Sequence, residues 1–191
     1  AGLFRLRNVP AEYRVPLAAL VGADDGATRV SLDRYRALGR IDFTIDFPEG
    51  WTEMPPQGEG IHAVQAPAEL GKVVCNAQSP DMPGLVGMTQ DAINAEMSAP
   101  MDTAGWANIL GVDAALVEVH KAEALPIDGK YLQFATLTMK AGAFAPVDVK
   151  AVMGVFVLPG RLVNAGCYAP MDAFDKVKDV FEKTVSSVRP L

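Results

Sequence analysis

From residue 41 onward the hydrophobic positions alternate. In "IDFTIDFPEGW" Phe43, Ile45 and Phe47 take one side and Thr44 and Asp46 the other, the two-residue period of a strand with one buried face. Pro48 and Gly50 end it. "IHAVQAP" (61–67) and "KVVCNAQ" (72–78) are two further short strands with a turn between them.

The period then lengthens. Thr89 is placed to cap "TQDAINAEM", with Asp91 in the first turn near the positive helix end and Ile93 and Met97 on one face. Pro100 must break or kink this helix, because it has no amide hydrogen and clashes with the preceding turn. "DTAGWANIL" resumes as a second short helix with Trp106, Ile109 and Leu110 turned inward.

Four longer strands follow. "ALVEVHKAEALPI" runs into Asp128-Gly129, a two-residue hairpin signal, and "KYLQFATLTMK" returns from it. "VKAVMGVFVL" is apolar on both faces, so it belongs in mid-sheet with cover on each side. Pro159-Gly160 fits a type II turn, which leads back into "RLVNAGCYAP". In "DAFDKVKDVFEKTVSSVRP", Phe174, Val177, Phe181, Val185 and Val188 recur at spacings of three and four, while Lys176, Lys178, Asp179 and Glu182 face water. Asp172 is the expected cap. The order is three strands, two helices, four strands and a helix. Hairpin-length connections make the sheet mostly antiparallel. The expected fold is therefore α+β, an antiparallel sheet of about six or seven strands covered by helices on its faces.

Residues 1–40 read differently. They carry Arg5, Arg7, Arg14, Arg29, Arg34, Arg36 and Arg40 and no lysine, whereas only Arg161 and Arg189 follow. We divide the chain into an Arg-rich N-terminal extension (1–40) and a sandwich domain (41–191). The extension is expected to be an arm packed on the domain, with a short helix in "SLDRYRAL" capped by Ser31. A partner-binding segment is the alternative. The first residue is Ala1 and not methionine, so a processed or trimmed N-terminus is expected.

Composition narrows the function. Half of the 191 residues are hydrophobic and 21% are charged, which supplies a full core. A net charge of −6 argues against nucleic acid, whose phosphates need clustered Lys and Arg. No apolar run approaches the ~20 residues of a membrane span.

The two cysteines, Cys75 and Cys167, each lie near the end of a strand-like run. Neither belongs to a C-x-x-C motif, and two cysteines so far apart form no recognisable metal pattern. A disulfide between neighbouring strands is the expectation, and two buried free thiols are the alternative. Such a bond persists outside the reducing cytosol, so a periplasmic or secreted location is expected.

His62 and His120 read as surface or satisfied polar residues, and no Ser-His-Asp set stands out. No phosphate loop, cofactor motif or paired acidic site is apparent, so no enzyme and no cofactor is expected. Met82, Met88, Met97 and Met101 could offer soft ligands to copper(I), but methionine more often fills core gaps. Trp51 and Trp106 read as core anchors rather than pocket walls.

The motif Phe47-Pro48-Glu49-Gly50-Trp51, with the order of elements after it, resembles the PsbP/DcrB-like domains over residues 41–191. That resemblance implies a secreted or lumenal αβα sandwich and a non-enzymatic scaffold for partners or small ligands. It carries over no functional residue. The expected function is thus a non-enzymatic periplasmic or secreted domain that binds a protein or cell-envelope component. A carrier of a small apolar ligand, held between helices and sheet, is one alternative. An unrecognised hydrolase that uses His120 is another.

Overall fold

A computed structural model describes residues 3–7, 43–55 and 61–191. The strands are β1 (Leu3–Arg7), β2 (Phe43–Pro48), β3 (Thr52–Glu53), β4 (His62–Gln65), β5 (Val74–Gln78), β6 (Val117–Ile127), β7 (Lys130–Met139), β8 (Val149–Leu158), β9 (Arg161–Pro170) and β10 (Arg189–Pro190). The α-helices are α1 (Gln90–Met97), α2 (Thr103–Leu110) and α3 (Phe174–Ser186).

Seven strands form one antiparallel sheet in the order β3-β4-β5-β9-β8-β7-β6. The doubly apolar β8 lies inside it, as its pattern demands. Asp128 and Gly129 both have positive φ, 51° and 73°, the conformation of a type I′ hairpin turn. α3 packs on one face against β8 and β9, while α1 and α2 cover the other over β6, β7 and β8.

The first strong alternation, β2, does not join this sheet. It pairs with β1 and β10 in a separate three-stranded sheet. Phe43, Ile45 and Phe47 are fully buried there, in the same core as the inner face of α3. One edge of the main sheet is the two-residue β3, too short for any periodicity to announce. β1 brings the start of the extension alongside β2. The remainder of the extension, including the expected helix at Ser31, lies outside the described residues.

Thr89 and Asp102 cap α1 and α2 through side-chain bonds to the amides of Ala92 (3.2 Å) and Gly105 (2.8 Å). At α3 the expected cap is displaced. Ala173 holds the cap position and offers no side-chain bond. A turn from Pro170 to Ala173 sets the cap one residue past Asp172, and the helix begins at Phe174.

The core between sheet and α3 contains Phe156, Phe174, Phe181 and the cysteines. Fully burying each such ring contributes about 1.5–3 kcal/mol. Gly154 lets α3 approach closely, because a Cβ there would meet Val185 Cγ1 at 2.7 Å. Trp51 stacks edge-on to Phe181 at 6.5 Å, and Trp106 is fully buried on the other side. Met82 and Met101 pack against the apolar cluster around Trp106. No helix among the described residues is long and apolar enough to cross a membrane.

Candidate functional site

Cys75 on β5 lies directly opposite Cys167 on β9, and the two are joined by a disulfide with Cα atoms 4.0 Å apart. Both are buried. The bond belongs to the core beneath α3, with no open crevice at its sulfurs.

The same pairing builds the opposite face of these strands. One residue past the cysteine pair Asn76 faces Gly166, and two residues further Gln78 faces Asn164. Side chains alternate across a sheet, so these amides point away from the disulfide toward α2. There they line a pocket of about 340 Å³ together with Tyr168, Met153, Ile109, Leu110 and Phe144. One wall is a stripe of neutral polar groups from the strands. The other is apolar, from α2, β8 and the β7–β8 loop.

Gly166 makes room for the pocket floor. A Cβ there would overlap the Tyr168 phenol oxygen, and would meet Met153 Sδ at 2.6 Å. The tyrosine ring therefore folds back along its own strand over the glycine. Burial pushes its phenol up to about 12, and the Asn76 amide beside it offsets part of that shift. Asn164 is only 9% exposed. No side-chain hydrogen bond joins it or Gln78 to the rest of the described protein, although Asn164 is this deeply enclosed.

The loop that carries Phe144 is braced at its base. Asp148 Oδ1 accepts the Ala141 amide at 2.8 Å, and Lys140 stands 3.4 Å from both Asp148 and Glu118. The Ala141 amide, and then Lys140, hold the Asp148 carboxyl below its ordinary range. Phe144 itself is 59% exposed at the mouth.

The histidines do not meet. His62 is buried on β4 against Phe43, while His120 is on β6, at the far edge of the sheet. His120 is the extra residue of a β-bulge between Val119 and Lys121. Its Nε2 shares a 2.7 Å hydrogen bond with Thr138 Oγ1, and its Nδ1 lies 3.8 Å from Glu118. This hydroxyl–imidazole–carboxylate order resembles a hydrolytic triad, but Thr138 is 1% exposed, and Glu118 lies beyond hydrogen-bonding distance. A substrate cannot approach the covered hydroxyl in this arrangement. Among the described residues no group of three or more His, Cys, Asp or Glu side chains could hold a metal ion.

Of the pocket residues the sequence singles out only Ile109 and Leu110, as inward positions of α2, and none of the polar ones. The available signal was the cysteine pair: once those strands are paired through it, the register brings Gln78 to Asn164.

No family model and no curated protein matches the sequence. Solved structures do match. Cyanobacterial PsbP (CyanoP) from Synechocystis sp. PCC 6803 is similar over 78% of this chain and 87% of its own, at 16% identity and a TM-score of 0.51. LpqN, described as involved in cell envelope biogenesis of Mycobacterium tuberculosis, covers 78% and 82% at 10% identity and a TM-score of 0.49. The Saccharomyces cerevisiae Ran-binding protein Mog1p covers 78% and 89% at 9% identity and a TM-score of 0.44. The seven-stranded antiparallel sheet with three helices packed on it, among the described residues, is a PsbP-like α+β fold.

Proposed function

We propose that this chain is a non-catalytic binding domain that works outside the reducing cytosol and recognises a cell-envelope component in the pocket between α2 and the sheet. The observation that carries the reading is the chemistry of the pocket wall. Asn76, Gln78 and Asn164 are neutral at every physiological pH, and the Tyr168 phenol keeps its proton to about 12. Such groups orient a ligand by hydrogen bonds but do not exchange protons near neutrality, as general acid–base catalysis requires. The compartment is supported by the Cys75–Cys167 bond, since protein disulfides are rare in the reducing cytosol.

A carrier of wholly apolar cargo is a weaker reading. Such a ligand would displace water from the Asn164 and Gln78 amides and leave them unpaired, at a cost of about 1–3 kcal/mol each.

Two measurements test the reading together. Ester, phosphate, peptide and glycoside substrates are offered to the protein and to His120→Ala, and background rates are expected for both. The protein is also recovered from its native envelope fraction and weighed intact under non-denaturing conditions. A bound small molecule is expected, and it should be absent from Asn164→Leu. Turnover that His120→Ala abolishes would overturn the non-catalytic reading. Recovery of both proteins equally empty would overturn the pocket as the site of recognition.

A further inference from the structure

We propose that the pocket between α2 and strands β5 and β9 takes a neutral sugar. This deepens the binding reading above and rests on it. Asn164 is the leading observation: the residue is only 9% exposed, its amide makes no side-chain hydrogen bond within the described protein, and it lines the pocket. Its amide atoms are not sealed from solvent, so the hydrogen bonds they have still to make are made through the pocket mouth, to water or to a ligand that replaces it. Gln78, its cross-strand neighbour, repeats the arrangement, and Asn76 and the Tyr168 phenol extend the polar stripe.

A side-chain amide sets a donor beside an acceptor. A pair of adjacent hydroxyls on a sugar ring offers the complement, since each hydroxyl both donates and accepts. The pocket lining includes no Lys, Arg, Asp or Glu. A phosphate, carboxylate or ammonium would lose its hydration there with no opposite charge to replace it. The facing wall, formed by Ile109, Leu110, Phe144 and Met153, receives the C–H face that a sugar ring also carries. The volume, about 340 Å³, lies at the small end of ligand sites, which run from ~300 to ~1,000 Å³. That suits one or two rings rather than a polymer.

The test follows the side-chain amide signals of Asn76, Gln78 and Asn164 in the full disulfide-bonded chain by proton–nitrogen NMR. The probes are maltose, cellobiose and N,N′-diacetylchitobiose, with 1-decanol as an apolar probe and galacturonate as a charged one. At least one neutral disaccharide is expected to shift the Asn164 and Gln78 signals saturably, and galacturonate should not. Asn164→Leu and Gln78→Leu should each weaken that sugar about tenfold. Gln78 is half-buried, so its variant keeps the test open where Asn164→Leu fails to fold. Undiminished binding by Gln78→Leu would overturn the proposed site. If decanol or galacturonate moves these signals and no sugar does, the ligand class is wrong while the binding reading stands. Signals unmoved by every probe would overturn the sugar proposal; the binding reading would then fall only if the protein recovered from its envelope were also empty.

Discussion

The backbone N–H of Met101 donates to Gln133 Oε1 at 2.9 Å, and this bond ties the break between α1 and α2 to β7, the strand beside the sheet's edge. The same fully buried side chain donates from Nε2 to the carbonyls of Met97 (2.5 Å) and Ala99 (3.1 Å). Pro100 has no N–H to contribute, so one glutamine satisfies the backbone on both sides of it. Gln133→Leu would remove the partner of three backbone groups, on the half-buried Met97 and Met101 and the exposed Ala99. We expect a loss of about 1–3 kcal/mol, read as a lower urea midpoint with an unchanged slope. A change below about 0.5 kcal/mol would show that the break holds itself in place.

The Cys75–Cys167 bond closes a separation of 92 residues in sequence. In the chain-entropy model a loop of that length contributes about 4–5 kcal/mol, by restricting the unfolded chain. The double variant Cys75→Ala/Cys167→Ala should fold to the same sheet with a stability lower by up to that amount. Its native far-ultraviolet spectrum should match the parent's, and its urea midpoint should fall. A midpoint equal to the parent's would remove the disulfide from any account of stability.

Gly166→Ala should cost about 1–3 kcal/mol, because its Cβ cannot share space with the folded-back Tyr168 and the Met153 sulfur. The loss should shrink when Tyr168→Ala is made in the same chain, since the two changes meet at one contact. Strictly additive losses would mean that the ring does not lie over the glycine.

Tyr168 gives a pH dependence of known sign. Its native phenol holds its proton to about 12 against the ordinary 10. As pH rises the unfolded chain therefore loses this proton first. The contribution to stability is complete below about pH 10 and declines as pH climbs from there toward 12. Tyr168 should form tyrosinate absorbance only above pH ~11 in the native protein, and Tyr168→Phe should remove that late step. A Tyr168→Phe titration superimposable on the parent's above pH 11 would contradict the burial of this phenol.

Much of this architecture could be read locally. The doubly apolar run of β8, the Asp128-Gly129 turn, the Thr89 cap and the period of α3 are each signalled locally. What escaped depended on distant partners. β2 carries a strong strand pattern, but only its pairing with β1 and β10 decides which sheet it joins, and β10 is two residues long. The cap of α3 went to Ala173 because the preceding turn, not the side-chain preference of Asp172, sets where the helix begins. The pocket was hidden for a related reason. Asn76 and Asn164 become neighbours on one face only through the long-range pairing of β5 with β9. The cysteines were the one local sign of that pairing, and they fix the register from which the amide stripe follows.

The account depends most on that register and on the compartment that lets it be locked. The direct measurement is the intact mass of the protein taken from its native host into acid and a thiol-alkylating reagent, followed by proteolysis without reductant. We expect a chain two hydrogens lighter than its reduced form, unlabelled at either cysteine, with one linked peptide pair holding Cys75 and Cys167. Alkyl groups on both cysteines in the material as it leaves the cell would contradict the disulfide and the extracytoplasmic role built upon it.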